Sequence, residues 1–290
     1  MCNGTIMDKL ISFSFPLMLT SILQLMFNAV DIIVVGRFSG SQSLAAVGST
    51  TALINIFTNL FIGISLGANV LAARYYAAGR DKEMSEAVHT AIFLALISGL
   101  IMAVVGIGAS RFALTLMGTP DDVIDLSVLY MRIYFMGMPF FMLYNYGAAI
   151  LRAVGDTKRP LFYLIAAGLA NVILDLLLVI VIPLNVAGVA VGTVASQMVS
   201  CILVLRCLYR TEGSYQLRFS RLTIKSEHLK MIFQVGVPAG IQSTVINFSN
   251  ELLQSSVNSF GSTAMAGYTA ANNIIGFLYS AVNAVTQACM

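Results

Sequence analysis

Apolar residues run through this chain in long blocks separated by short polar turns. The blocks lie near residues 11–36, 44–70, 88–110, 124–149, 160–183, 187–209, 231–257 and 265–290. A helix of about 20 apolar residues spans the roughly 30 Å hydrocarbon layer of a bilayer. Each block is therefore predicted to be a membrane-crossing helix. The gaps carry turn chemistry: Gly79-Arg80-Asp81-Lys82, Gly118-Thr119-Pro120-Asp121-Asp122 and Gly155-Asp156-Thr157-Lys158-Arg159-Pro160. Pro160 suits the first turn of the fifth helix, where its missing N–H costs nothing. Residues 210–229 form the longest polar run and the one candidate linker between two lobes. The predicted fold is an all-α polytopic membrane protein. Residues 1–209 form a first lobe of six helices, 210–229 a linker, and 230–290 helix seven with part of helix eight.

Composition rules out a soluble reading. Hydrophobic residues make up 58% of the 290 and charged residues 10%, against roughly 25% charged in a soluble domain. So few charges could not cover a water-facing surface. The net charge of +3 comes from loops and gives no nucleic-acid signal. Lys9 precedes the first block; Arg74, Arg80 and Lys82 follow the second; Arg152, Lys158 and Arg159 follow the fourth. Arg206, Arg210, Arg218, Arg221, Lys225 and Lys230 surround the linker, leaving Arg37, Arg111 and Arg132 for the opposite side. Positive residues favour the cytoplasmic face, so the N-terminus and the linker are expected there. The start of the chain lacks a basic n-region and a cleavage site, and reads as a retained first helix rather than a signal peptide. Cys2, Cys201, Cys207 and Cys289 have no metal-ligand spacing. His89 and His228 stand too far apart to suggest a metal site.

Carboxylates inside the blocks carry the chemistry. Asp31, Asp175 and Glu251 sit where a charge costs several kcal/mol unless it faces a cavity or a partner. With the sidedness above and about 1.5 Å per residue, Asp31, Asp175, Thr193 and Tyr130 fall in one layer of the outer half. Asn171 lies one turn from Asp175 on the same helix face. Gln24, Asn28 and Asp31 form a matching stripe, and Asn247, Glu251, Gln254 and Asn258 form another on helix seven. Bland readings cover much of the rest. Asn55, Asn59 and Asn145 suit interhelical hydrogen bonds, and Gly63-x-x-x-Gly67 and Gly188-x-x-x-Gly192 suit close helix packing. Arg132 is placed to snorkel or to pair with Asp125. No Ser-His, His-Glu-x-x-His or paired-aspartate catalytic motif appears, so no enzymatic activity is expected.

The pattern also repeats. Phe15-Pro16 has a counterpart in Val237-Pro238, and Gly40 through Ala46 in Gly261 through Gly267, with the offset changing by one residue. Helix seven restarts the pattern of helix one. Asp31 through Ala46, Gly67 through Gly79 (GANVLAARYYAAG), Leu151 through Pro160 (LRAVGDTKRP) and Gly236 through Ala271 closely resemble the multidrug and toxic compound extrusion (MATE) family. The resemblance implies twelve helices in two six-helix lobes around a cleft. It implies cation-coupled export of cationic or amphiphilic compounds from the bacterial cytoplasmic membrane, by a protein monomeric when full length, without a cofactor. It further implies a cation site of Asp31, Asn171, Asp175 and Thr193, with Tyr130 as the associated aromatic, taking a proton or a sodium ion. Glu251 lies near an acidic position of the family's second lobe without aligning cleanly. By the repeat, Met290 aligns with Asn69, so the expectation is a chain truncated within helix eight.

Mechanistically, apolar surroundings disfavour ionised carboxylates, and two facing carboxylates favour a shared proton or a bound cation. Pro16 is the expected weak point of helix one. The rivals are a lipid-linked saccharide flippase of the same wider superfamily and a non-transporting scaffold or receptor. A flippase needs cationic residues inside its cavity, whereas the intramembrane charges here are acidic.

Overall fold

Long apolar runs with few internal breakers can satisfy their backbone groups in hydrocarbon only as helices. The computed structural model describes residues 6–258 and 262–289 and shows no strand among them. The helices are α1 (Ile6–Phe38), α2 (Gly40–Ala77), α3 (Asp81–Leu116), α4 (Asp121–Met136), α5 (Met138–Ala153), α6 (Lys158–Leu176), α7 (Asn185–Arg210), α8 (Ser226–Asn258) and α9 (Ser262–Cys289). Six of them, α1, α2, α3, α6, α7 and α8, contain stretches long and apolar enough to cross a membrane. Most helices overrun the predicted blocks by several residues, because their polar ends continue the helix beyond the apolar stretch.

Two predicted helices are interrupted. The block at 124–149 is not one straight span: α4 and α5 meet at Gly137 with a bend of 46°. Pro139, in the first turn of α5, lacks the N–H that would continue the bond ladder. A Cβ at Gly99 of α3 would overlap Pro139 and approach the Met138 carbonyl, so glycine lets the corner dock on α3. The second interruption ends α6. Its last α-helical residue is Leu176, and a five-residue π-helical turn, Leu177–Val181, follows. Pro16, in contrast, does not break α1, which runs continuously through it.

Close approach organises the packing. In the first lobe α6 lies on α7, and α3 packs on α4 and α5. The second repeat joins through two pairings, α2 with α8 and α1 with α9. A two-fold relating helices one and two to helices seven and eight interchanges these two pairings. The α2–α8 seam is built of glycine on both sides. A Cβ on Gly63 would overlap Gly240, and one on Gly67 would overlap the Ile232 carbonyl and crowd Gly236. The small-residue motif read on helix two thus has its partner in Gly236-x-x-x-Gly240.

The basic loops gather at one end. Ser12 and Phe13, the Val154–Lys158 turn and Tyr215 line one cavity there, of about 380 Å³. The linker is pinned rather than loose. Leu217 is fully buried, and its N–H donates to the Leu208 carbonyl at 3.0 Å. The Arg218 N–H donates to His89 Nε2 at 3.1 Å. The Thr90 hydroxyl donates to the Glu86 carbonyl at 2.8 Å, lies 3.3 Å from the Thr223 carbonyl and accepts from the Lys225 N–H at 3.3 Å. His228, buried at the start of α8, stands 3.2 Å from the Tyr75 hydroxyl and 3.3 Å from Glu86. At the opposite end Asp125 pairs with Arg111 at 3.3 Å, not with Arg132, which is exposed.

Gly63→Leu or Gly240→Leu should lower stability in detergent by about 1–3 kcal/mol through overpacking. Gly48→Leu, where a Cβ meets nothing within 4 Å, should leave thermal unfolding unchanged. Separately, His228→Ala should raise the rate of proteolysis within residues 211–225 several-fold, because it removes both Tyr75 and Glu86 as anchors.

Candidate functional site

The polar layer expected from helix depth assembles where α1, α6 and α7 meet. Asp175 lies in the last turn of α6 and is 0% exposed; Asn171, one turn earlier, is 4% exposed. The Asn171 Nδ2 donates to Asp175 Oδ1 at 3.4 Å. Asp31 of α1 faces Asp175 within hydrogen-bonding reach. Beyond that, Asp31 Oδ1 and Asp175 Oδ2 are sequestered and have no hydrogen-bond donor. A carboxylate oxygen can only accept, so two facing carboxylates cannot satisfy each other unless a proton or a cation lies between them.

The helices are cut to fit this pair. On α7, a Cβ at Gly192 would overlap Asp175 Oδ1. On α6, a Cβ at Gly168 would overlap the Phe27 ring of α1, so glycine lets α1 lean in and carry Asp31 to Asp175. Gly188, one turn before Gly192, packs against Leu178 in the π-helical turn, where a Cβ would lie 3.0 Å from the carbonyl oxygen. Both glycines of the second small-residue motif therefore face the site's helix, and Gly192 touches its carboxylate.

Thr193 is next to Gly192. Its hydroxyl donates to the Val189 carbonyl at 2.9 Å, which leaves its oxygen lone pairs free to accept. Tyr130 is buried and stacks on Tyr134, with ring centroids 6.1 Å apart and planes at 28°. Both tyrosines lie near enough to Asp31 to interact with its charge. Tyr134 and Gly192 were not singled out by the sequence stripes. Tyr134 was findable as the i+4 neighbour of Tyr130, whereas nothing in the sequence tied Gly192 to a carboxylate.

The remaining candidates separate. Gln24 and Asn28 are exposed on α1, on the stripe that leads to Asp31. Asn247 is half-buried and donates to the Ser243 carbonyl of its own helix at 2.9 Å. Glu251, Gln254 and Asn258 belong to α8, but their side chains lie outside the described residues. Asn59 and Asn145 do not bridge helices. Each donates to the carbonyl one turn earlier, Asn55 at 2.7 Å and Phe141 at 2.8 Å. Arg152, grouped with a loop in the sequence, sits in the last turn of α5. Its Nε is buried without a partner, and the negative end of the helix dipole offsets its charge.

Comparison with known proteins agrees with this architecture. The family model MatE matches residues 16–177, more than half of the chain. The probable multidrug resistance protein YoeA of Bacillus subtilis (strain 168) is 31% identical over 275 residues, spanning 92% of this chain and 59% of that protein. The multidrug export protein MepA of Staphylococcus aureus (strain MRSA252) is 23% identical over 276 residues, spanning 95% and 61%. The chain thus spans about three-fifths of the length of the curated relatives it matches. Among solved structures, a MATE protein in a bent conformation superposes with a TM-score of 0.90 at 23% identity, over 98% of this chain and 64% of that one. A MOP superfamily transporter from Pyrococcus furiosus gives 0.89 at 24% identity, over 98% and 63%. These superpositions bear on the fold.

If Gly192 is small in order to seat Asp175, Gly192→Ala should cost about 1–3 kcal/mol of stability by overpacking. In an Asp175→Ala background most of that cost should vanish, a coupling that thermal unfolding of the two single variants and the double variant measures.

Proposed function

The chain belongs to the MatE family, and from that premise we propose that it provides the coupling lobe of a cation-driven antiporter for cationic or amphiphilic compounds. The observation that carries this reading is the facing carboxylate pair, Asp31 with Asp175, in which Asp31 Oδ1 and Asp175 Oδ2 are buried without a donor. Asn171 supports one side of the pair, and the Thr193 oxygen remains free to accept. Such a site holds a proton between the two carboxyls, or a sodium ion among hard oxygens. Loading neutralises the pair and relieves like-charge repulsion; unloading restores it. Differential occupancy in two conformations then biases alternating access. The multidrug names carried by YoeA and MepA support a drug-like cargo, and an acidic site suits a cation better than an anionic headgroup. Gln24 and Asn28, exposed along the stripe toward Asp31, are placed to line the cargo's route. The bacterial relatives support a site of action in the cytoplasmic membrane, and the positive-inside rule favours the basic end inward.

The test is efflux of fluorescent cationic dyes from cells producing the protein. Asp175→Asn should reduce efflux at least tenfold, to the level of cells lacking the protein, at equal membrane abundance; about 1.4 kcal/mol of lost coupling suffices for a tenfold effect. Efflux that survives the substitution sinks the carboxylate assignment. If the unaltered protein moves none of several dyes, the drug-export reading fails.

A further inference from the structure

The far end of α7 carries a surface for which the carboxylate pair has no use. Around this helix Val189, Ser200, Val204 and Leu208 are buried, whereas Val191, Met198, Ile202 and Tyr209 are exposed. Steps of seven, four and seven residues put the exposed four on one helix face. On a membrane-crossing helix such an exposed apolar stripe faces lipid. Counted from Asn185, about 20 residues cross the roughly 30 Å hydrocarbon layer, which brings α7 to its boundary near Leu205. Arg206 and Arg210, one and two turns after Ile202, are both exposed. With Tyr209 they therefore stand at headgroup depth, on or beside the lipid-facing stripe.

The linker folds back onto this turn. Besides the Leu217–Leu208 backbone bond, the Gln216 Nε2 donates to the Tyr209 carbonyl at 3.3 Å. Phe219 is thereby returned to Tyr209 and stacks on it, with centroids 6.0 Å apart and planes at 28°. The two residues remain 55% (Tyr209) and 54% (Phe219) exposed. A stacked aromatic pair left open suits the boundary between hydrocarbon and water, where amphipathic rings settle. Arg218 is exposed too, and its Nε donates to Gln216 Oε1 at 3.1 Å, which holds its side chain beside the same turn. Among the described residues no ion pair engages Arg206, Arg210 or Arg218. Glu212 is the one acid in residues 206–219, so the patch is cationic.

We propose that the end of α7 and the returning linker form a docking surface for an anionic phospholipid, with Tyr209 and Phe219 against its glycerol region and Arg206, Arg210 and Arg218 around its phosphate and headgroup. Guanidinium forks match phosphate oxygens in pairs. A soluble anion would engage the arginines and leave the rings open to water. A zwitterionic lipid would cover the rings and leave the positive charge unbalanced. An anionic lipid meets both demands. The surface is separate from the carboxylate pair and requires only that the chain span a bilayer. Because the linker joins the two repeats, a lipid seated there would fasten it to the first lobe.

The chain contains no tryptophan, so Phe219→Trp gives a single reporter at the surface. The experiment places this variant in vesicles of equal phosphatidylglycerol and phosphatidylcholine, with bromine near the glycerol end of the acyl chains of one lipid or the other. Brominated phosphatidylglycerol should quench the emission about three times as strongly, as expected when several arginines favour an anionic lipid. Adding Arg206→Gln, Arg210→Gln and Arg218→Gln together should remove that difference. Arg74→Gln, Lys82→Gln and Lys230→Gln, which take the same charge from the same end, should leave it intact. The proposal falls if neither lipid quenches, since the linker then stands in water, or if both quench equally. It falls also if the control triple loses the preference as fully, which means diffuse charge. Loss of the preference in millimolar glycerol phosphate would likewise overturn it, because a soluble phosphate then suffices. Should Phe219→Trp fail to fold, Tyr209→Trp serves as the reporter with the same outcomes.

Discussion

Inside a hydrocarbon layer no water is available to complete a hydrogen bond, so every polar group must find its partner within the protein. Hydroxyl and amide side chains throughout this chain do so by folding back on their own helices. Thr20 donates to the Pro16 carbonyl, Thr58 to Ile54, Ser127 to Val123, Thr193 to Val189, Ser200 to Gln197 and Thr244 to Gly240. Such bonds cost no contact between helices and leave the apolar faces free to pack. They also make the exceptions conspicuous. Carboxylates cannot fold back, because the helix offers them carbonyls rather than donors. Asp31 and Asp175 therefore had to be brought to each other, and the helix contacts around them follow from that need.

Glycine is how the contacts are made. Gly168 admits Phe27, Gly192 admits the Asp175 carboxylate, and Gly63 meets Gly240 across the lobe seam. Without an apolar-solvent penalty to drive helices together in lipid, close backbone approach supplies the attraction. The same device serves two ends in this protein. Along α2 and α8 it holds the repeats together, and along α6 and α7 it makes space for a charge. One four-residue spacing of glycines thus carries two different meanings, and only its neighbours distinguish them.

That distinction marks what the sequence could and could not disclose. Helix number, sidedness and depth depend on properties of single segments, and they put Asp31, Asp175, Thr193 and Tyr130 in one layer, with Asn171 one turn from Asp175, before any contact was known. Gly188-x-x-x-Gly192 was legible as a packing motif, yet its partner, a carboxylate on another helix, leaves no local trace. The same holds for Gln197 of α7, an ordinary amide in the sequence whose Oε1 would lie 2.6 Å from a Cβ at Gly137 in the α4–α5 bend. The bend itself was written in the chain as Gly137-Met138-Pro139, but an unbroken apolar run outweighed it, since hydropathy does not register a missing N–H. Likewise the linker was found by its polarity, whereas its docking through His89, Thr90 and His228 depends on residues of two distant helices, α3 and α8.

The placement of Asp31 has a consequence for coupling. Among the described residues, α1 carries a site carboxylate and also packs along α9 of the second repeat, while α6 and α7 make their main contacts within the first lobe. A change in the charge shared by Asp31 and Asp175 therefore acts on a helix that both lobes hold. Phe27, one turn before Asp31, fixes α1 to Gly168 of α6 when the carboxyls are paired. In the proposed cycle, repulsion between two ionised carboxylates would work against that contact. Loading and unloading would thus shift α1 between its two neighbours, which requires no hinge at Pro16, and α1 is continuous through Pro16. In the proposed cycle a continuous α1 would carry a change at the site along its length, because a packed helix has discrete seats rather than a soft middle.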